Sequence, residues 1–166
     1  MLFRFISGVA ALALITGCGF TPIYGSGGSL NVGAKLANVQ VGPIKDRIGQ
    51  QLRNHLLDRI NPGGEPKKPR YRLSVQISYS KQELAIKKSE ISTRANLTYA
   101  AKFQLNGLGK YAGRSFSGKA NIVTSYNILS SDFATLVAEK NARSRAVREL
   151  SQDITNRIAI YLQDND

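Results

Sequence analysis

The spacing of apolar residues changes along the chain, and each change marks an element. Ala37, Val39 and Val41 alternate with polar neighbours, which predicts a short strand that Gly42-Pro43 ends. Ile44, Ile48, Leu52, Leu56 and Ile60 then recur every four residues and draw one apolar stripe along a helix. That helix begins at Asp46, an acceptable N-cap, or at Pro43, and Asn61-Pro62-Gly63-Gly64 stops it. From Arg70 the period falls to two. Tyr71, Leu73, Val75, Ile77 and Tyr79 point one way, while Arg70, Arg72, Ser74, Gln76 and Ser78 point the other. After a loop at Lys87-Lys88-Ser89-Glu90 the pattern repeats. Ala95, Leu97, Tyr99, Ala101, Phe103 and Leu105 share one face, and Arg94, Asn96, Thr98, Lys102 and Gln104 the other. Asn106-Gly107-Leu108-Gly109 is a turn, so the strand that follows should pair antiparallel.

That fourth strand covers about Lys110 to Tyr126, with a poorer alternation. Phe116, Ala120 and Ile122 agree in parity but Arg114 shares it, as a bulge or an edge position would allow. The last third returns to a period of 3.6. Phe133, Leu136, Val137, Ala146, Val147, Leu150, Ile154, Ile158, Tyr161 and Leu162 form the stripe of a helix of about 30 residues, capped by Ser130 or Ser131. It is longer than a four-stranded sheet needs, so one end should project or bend. One face of the alternating strands is polar and cannot be core. The prediction is an α+β fold in which two helices cover one face of a mixed four-stranded sheet, in the order β-α-β-β-β-α. The first crossover makes one pair parallel if its strands are neighbours.

The N-terminus has a different logic. Arg4 precedes an apolar run from Phe5 to Ile15, and small residues lead into Cys18, the one cysteine of the chain. A charged start, a short apolar segment and a small-residue exit form a secretory signal. Ile15-Thr16-Gly17-Cys18 resembles the lipobox of bacterial lipoproteins, which implies a signal peptide at 1–17, acylation of Cys18 and anchorage to a membrane on the periplasmic side. Gly19 stands where an aspartate would resemble an inner-membrane retention signal, which favours the outer membrane. Residues 18–34 are rich in Gly, Ser and Pro and read as a flexible tether, leaving 35–166 as a single domain.

Charge sharpens the picture. The net charge is +12, and between Lys67 and Ser131 twelve Lys and Arg face only Glu83 and Glu90. Such a field favours a polyanionic partner. An exported, lipid-anchored protein meets phosphorylated lipid rather than nucleic acid. Catalytic chemistry is not in view. The single histidine, His55, lies beside the apolar stripe of a helix with no partner motif, acids are scarce and scattered, and no metal-ligand spacing occurs. No enzyme activity, catalytic residue, metal or cofactor is expected.

Two stretches carry a more specific likeness. Cys18-Gly19-Phe20-Thr21-Pro22-Ile23-Tyr24-Gly25 resembles the mature start of alphaproteobacterial LPS-assembly lipoproteins, the LptE family. Ser125-Tyr126-Asn127, then Ser131-Asp132-Phe133-Ala134-Thr135-Leu136-Val137-Ala138-Glu139 and Ala142-Arg143, are similar to that family's approach to its last helix. The resemblance implies a non-enzymatic protein that plugs the lumen of the LPS-assembly outer-membrane β-barrel, the LptD type, and helps to bind and insert lipopolysaccharide. Its candidate lipopolysaccharide-binding residues, chosen from strand parity alone, are Arg70, Arg72, Arg94 and Lys102. The alternative is another envelope-binding lipoprotein, a scaffold for peptidoglycan or a different envelope complex.

Overall fold

The computed structural model of the chain describes residues 29–84 and 94–165. The signal segment 1–17, Cys18 with the first part of the tether, and the loop Lys87-Lys88-Ser89-Glu90 lie outside those residues. The described elements are α1 (Ser29–Leu36), β1 (Val39–Val41), α2 (Asp46–Ile60), β2 (Tyr71–Leu84), β3 (Arg94–Gly107), a 3-10 turn (Gly109–Tyr111), β4 (Ser115–Asn127) and α3 (Asp132–Asn165). The sheet order is β1-β2-β3-β4. β1 runs parallel to β2 across the α2 crossover, and β2, β3 and β4 pair antiparallel. The fold is the predicted α+β arrangement of helices on a mixed four-stranded sheet, with one helix more than the sequence pattern showed.

That extra helix, α1, occupies the last residues of the stretch read as tether. Val32 and Leu36 lie four apart and are both buried in the core. Leu30, Val32 and Leu36 among small and polar residues give too short a period to read against a Gly-rich background. α2 also differs at its start. Asp46 is its first helical residue rather than its cap, with φ 67°, and Lys45 before it makes no side-chain cap hydrogen bond.

Parity assigns the core. Tyr71, Leu73 and Val75 of β2 and the six odd-numbered residues from Ala95 to Leu105 of β3 are buried. Against them pack Leu52, Leu56 and Ile60 of α2, and Ala146, Val147, Leu150, Ile154, Ile158 and Leu162 of α3. Arg59 joins the two helices, its Nε donating to Ser151 Oγ at 3.1 Å and its Nη1 to Gln152. β4 is an edge strand that begins at Ser115, in unbroken register with β3 from Asn106 to Arg94. Arg114 therefore precedes the strand and breaks no alternation, and no bulge is needed.

The long helix, predicted at about 30 residues, spans 34, about 50 Å at a rise of ~1.5 Å per residue. Its N-terminal end reaches past the core. Ser131 Oγ accepts from the Ala134 N–H at 3.4 Å, and Thr135 Oγ1 holds Leu129 through both its N–H (2.9 Å) and its carbonyl (3.2 Å). One carboxylate fastens this end to the sheet. Glu139 accepts from the Tyr126 hydroxyl at 2.7 Å, from Arg143 Nη2 at 3.0 Å and from Lys81 Nζ at 3.4 Å. The Tyr126 bond, with help from Lys81 and Arg143 against the penalty of burial, lowers the Glu139 pKa. Burial raises the pKa of Tyr126.

This sets a pH dependence. A depressed carboxylate contributes its full stability above the unfolded pKa of ~4.3 and loses it as pH falls through the folded value. Glu139→Gln should therefore cost about 1 kcal/mol at pH 7, and the gap from the parent chain should close below pH ~4. Thermal melts of both chains at pH 7 and below pH ~4 check this, and a gap that persists in acid refutes the assignment.

Candidate functional site

The sheet face away from the helices is built from even positions of β2 and β3 and odd positions of β4. Strand pairing sorts them into rows. Arg72, Asn106 and Ser115 form one; Ser74, Gln104 and Ser117 the next; Gln76, Lys102 and Lys119 a third. Further along come Ser78, Ala100 and Asn121, then Ser80, Thr98 and Val123, then Gln82, Asn96 and Ser125. Among the described residues this face carries no acid, because Glu83 has the opposite parity and pairs across to Ala95.

The third row is the centre of the site. Lys102 and Lys119 sit directly opposite each other on adjacent strands. Opposed positions bring Cβ atoms within about 5.5 Å, and like charges there are destabilising. Neither lysine makes an ion pair or hydrogen bond among the described residues, and both are exposed. Around them lies a shallow cleft of about 450 Å³ lined by Ser74, Gln76, Gln104 and Ser117 besides the lysines. Two ammonium groups ringed by hydroxyls and amides suit an anion with several oxygens, such as a phosphate.

The four residues chosen from parity do not form one cluster. Lys102 is in the cleft. Arg72 lies four residues along β2 from Gln76, about 13 Å away, where its Nε donates to Gln40 Oε1 at 3.2 Å. Arg94 pairs with Leu84 at the far end, about 26 Å from the lysine row, and its Nη2 donates to Ser125 Oγ at 2.7 Å. Arg70 falls just before β2 and stacks on the Tyr111 ring, 5.5 Å from its centroid. Lys110 at 5.1 Å and Arg114 at 5.5 Å approach the same ring, and Arg114 Nη1 donates to the Asn165 carbonyl at 2.6 Å. Arg70 thus belongs to a separate cationic group at one end of the sheet.

Lys119 is the residue that the sequence reading missed. Its signal was present in β4, where Ser115, Ser117, Lys119 and Asn121 alternate with Phe116, Gly118, Ala120 and Ile122. Starting the strand five residues early, at Lys110, blurred that alternation. Among the described residues no group of three His, Cys, Asp or Glu side chains comes together to hold a metal.

A single sheet carries helices on one side and, on the other, a polar, cationic face that no described residue covers, and this fold occurs among bacterial lipoproteins. A crystal structure of a protein described as a lipoprotein from Caulobacter crescentus superposes with a TM-score of 0.62 at 19% identity, over 80% of this chain and 96% of that one. Rare lipoprotein B from Shewanella oneidensis gives 0.56 at 12% identity, over 74% and 92%. Lipoprotein B from Nitrosomonas europaea gives 0.51 at 14%, over 74% and 81%. At these identities the likeness is one of fold. No curated protein matches the chain. The family profile described as lipopolysaccharide-assembly, LptE, matches residues 36–161, and the chain belongs to that family.

Proposed function

We propose that the chain is an outer-membrane lipoprotein, cut before Cys18 and held by acyl chains on it, that plugs the LPS-assembly β-barrel of the LptD type and helps to bind and insert lipopolysaccharide into the outer leaflet. Family membership supports the assembly role. One observation carries the ligand: two lysines face each other on a sheet face that no described residue covers and that has no acid among its described residues. Lipid A presents phosphates, and a phosphate between Lys102 and Lys119 would replace their repulsion by charge-assisted hydrogen bonds. Arg72 and Arg94 stand on the same face at greater distance, and Arg70 with Lys110 and Arg114 offers a second group of charges for a large, multiply phosphorylated glycolipid. Two or more acyl chains at Cys18 would make anchorage stable.

The barrel partnership has a direct test. Gentle detergent extraction of the acylated protein should yield a complex with a barrel of far larger mass, seen by affinity capture and mass identification. Recovery of monomer alone would count against the plug. Depletion should remove lipopolysaccharide from the cell surface, whereas cell-wall defects alone would point to the scaffold alternative.

A further inference from the structure

The first turns of α3 carry an apolar side that none of the described residues covers. Phe133, Leu136, Val137 and Lys140 fall at i, i+3, i+4 and i+7 and share one side of the helix. Phe133 is 76% exposed, Leu136 65% and Val137 40%, and Leu129 just before the helix is also exposed. The opposite side is fixed to the protein, since Ala138 packs against the core and Glu139 is tied to Tyr126, Lys81 and Arg143. The apolar side is therefore held outward by a firmly seated helix. Exposed apolar surface of this kind marks an interaction site.

Its border says what it meets. Leu136 lines a cleft of about 310 Å³ with Arg47, Lys140 and Arg143. The acids nearby are Glu139, already paired to Lys81 and Arg143, and Asp132 and Asp46 at the helix starts. Arg47 and Lys140 make no ion pair among the described residues. Aromatic and aliphatic side chains on one side of a helix, bordered by lysine and arginine, are how a helix lies in the headgroup boundary of a membrane. We propose that this side of α3 docks on the surface of an anionic phospholipid bilayer. Phe133 and Leu136 enter the acyl boundary, and Arg47 and Lys140 meet headgroup phosphates. The surface is distinct from the Lys102–Lys119 face, because α3 packs on the other side of the sheet. It would hold the body of the protein against a leaflet before that body enters the barrel.

The chain contains no tryptophan, so a single introduced one reports its own surroundings. Phe133→Trp, Leu136→Trp and, as a control near the opposite end of the helix, Ile160→Trp are made in the full acylated chain, Ile160 being half exposed. Each is reconstituted in vesicles of phosphatidylethanolamine and phosphatidylglycerol whose acyl chains carry bromine. Reporters at 133 and 136 should emit to the blue of the one at 160 and be quenched about twofold or more by the brominated lipid. Exchanging phosphatidylglycerol for phosphatidylcholine should weaken that quenching. Reporters at 133 and 136 that behave like the one at 160 overturn the proposal. Protection of position 133 only when the barrel is added, without bromine quenching, overturns it in favour of a protein partner. Protection that follows protein density instead of lipid overturns it in favour of a second copy.

Discussion

Replacing Lys102 and Lys119 together by glutamate should weaken binding of lipopolysaccharide by about 10²–10³-fold while leaving the fold intact. The pair occupies adjacent strands on an exposed face, so neither side chain supports the core. A hydrogen bond to a charged group contributes about 1.5–3 kcal/mol, and exposure to solvent and salt reduces each toward the lower figure. Two such bonds lost, with repulsion in their place, give about 3–4 kcal/mol, or the stated loss. The double glutamine variant should fall between and melt at or slightly above the parent temperature, since it removes an opposed like-charge pair. Arg94→Glu, about 26 Å along the sheet, should change affinity far less. Binding to immobilised lipopolysaccharide across a salt series measures all of these. Equal affinity in the parent and the double glutamate variant would remove the lysine pair from the site.

The contrast between Lys102 and Lys119 shows what the sequence made legible. β3 alternates from Arg94 to Gln104 with Ala100 as its one apolar residue on the polar face, so Lys102 could be assigned to that face from its neighbours alone. Which residue stands beside it is a matter of register, and register depends on where β4 begins. A 3-10 turn that starts at Gly109, with φ 57°, and is followed by Gly113 at φ 93° delays the strand to Ser115. Gly107 reaches past that turn to give its N–H to the Arg114 carbonyl at 2.8 Å. A Cβ at Gly107 would stand 2.0 Å from the Tyr111 carbonyl oxygen, so the turn depends on a residue without one. Composition marks the region as a turn but not its length, and one strand's length fixes the partner of every residue on it. Arg70 shows the converse limit. Its parity is correct for the polar face, yet the strand starts one residue later, and the guanidinium goes to Tyr111 instead. The periodic stripe of α3 misled in another way. It names Phe133, Leu136 and Val137 as readily as Leu150 and Ile154, because periodicity records which side of a helix is apolar and not how far the sheet beneath it extends.

That last distinction yields the largest stability effect expected in the molecule, and its own control. Leu150→Ala should destabilise the protein by about 2–5 kcal/mol, because Leu150 is fully buried where α3 packs on the sheet and α2. Truncation there removes transfer free energy and leaves a cavity that neighbours such as Ala146 and Val147, on a helix pinned by Arg59 to Ser151, cannot collapse to fill. The melting temperature should drop by about 10 °C, at a few degrees per kcal/mol for a domain of this size. Leu136→Ala makes the same chemical change on the same helix, fourteen positions and four turns earlier, at a side chain 65% exposed. It should cost about 0.5 kcal/mol or less. A chemical-denaturation series on both variants decides the matter. If the two costs are equal, the N-terminal turns of α3 are packed as firmly as its middle, and the outward apolar surface assigned to them does not exist.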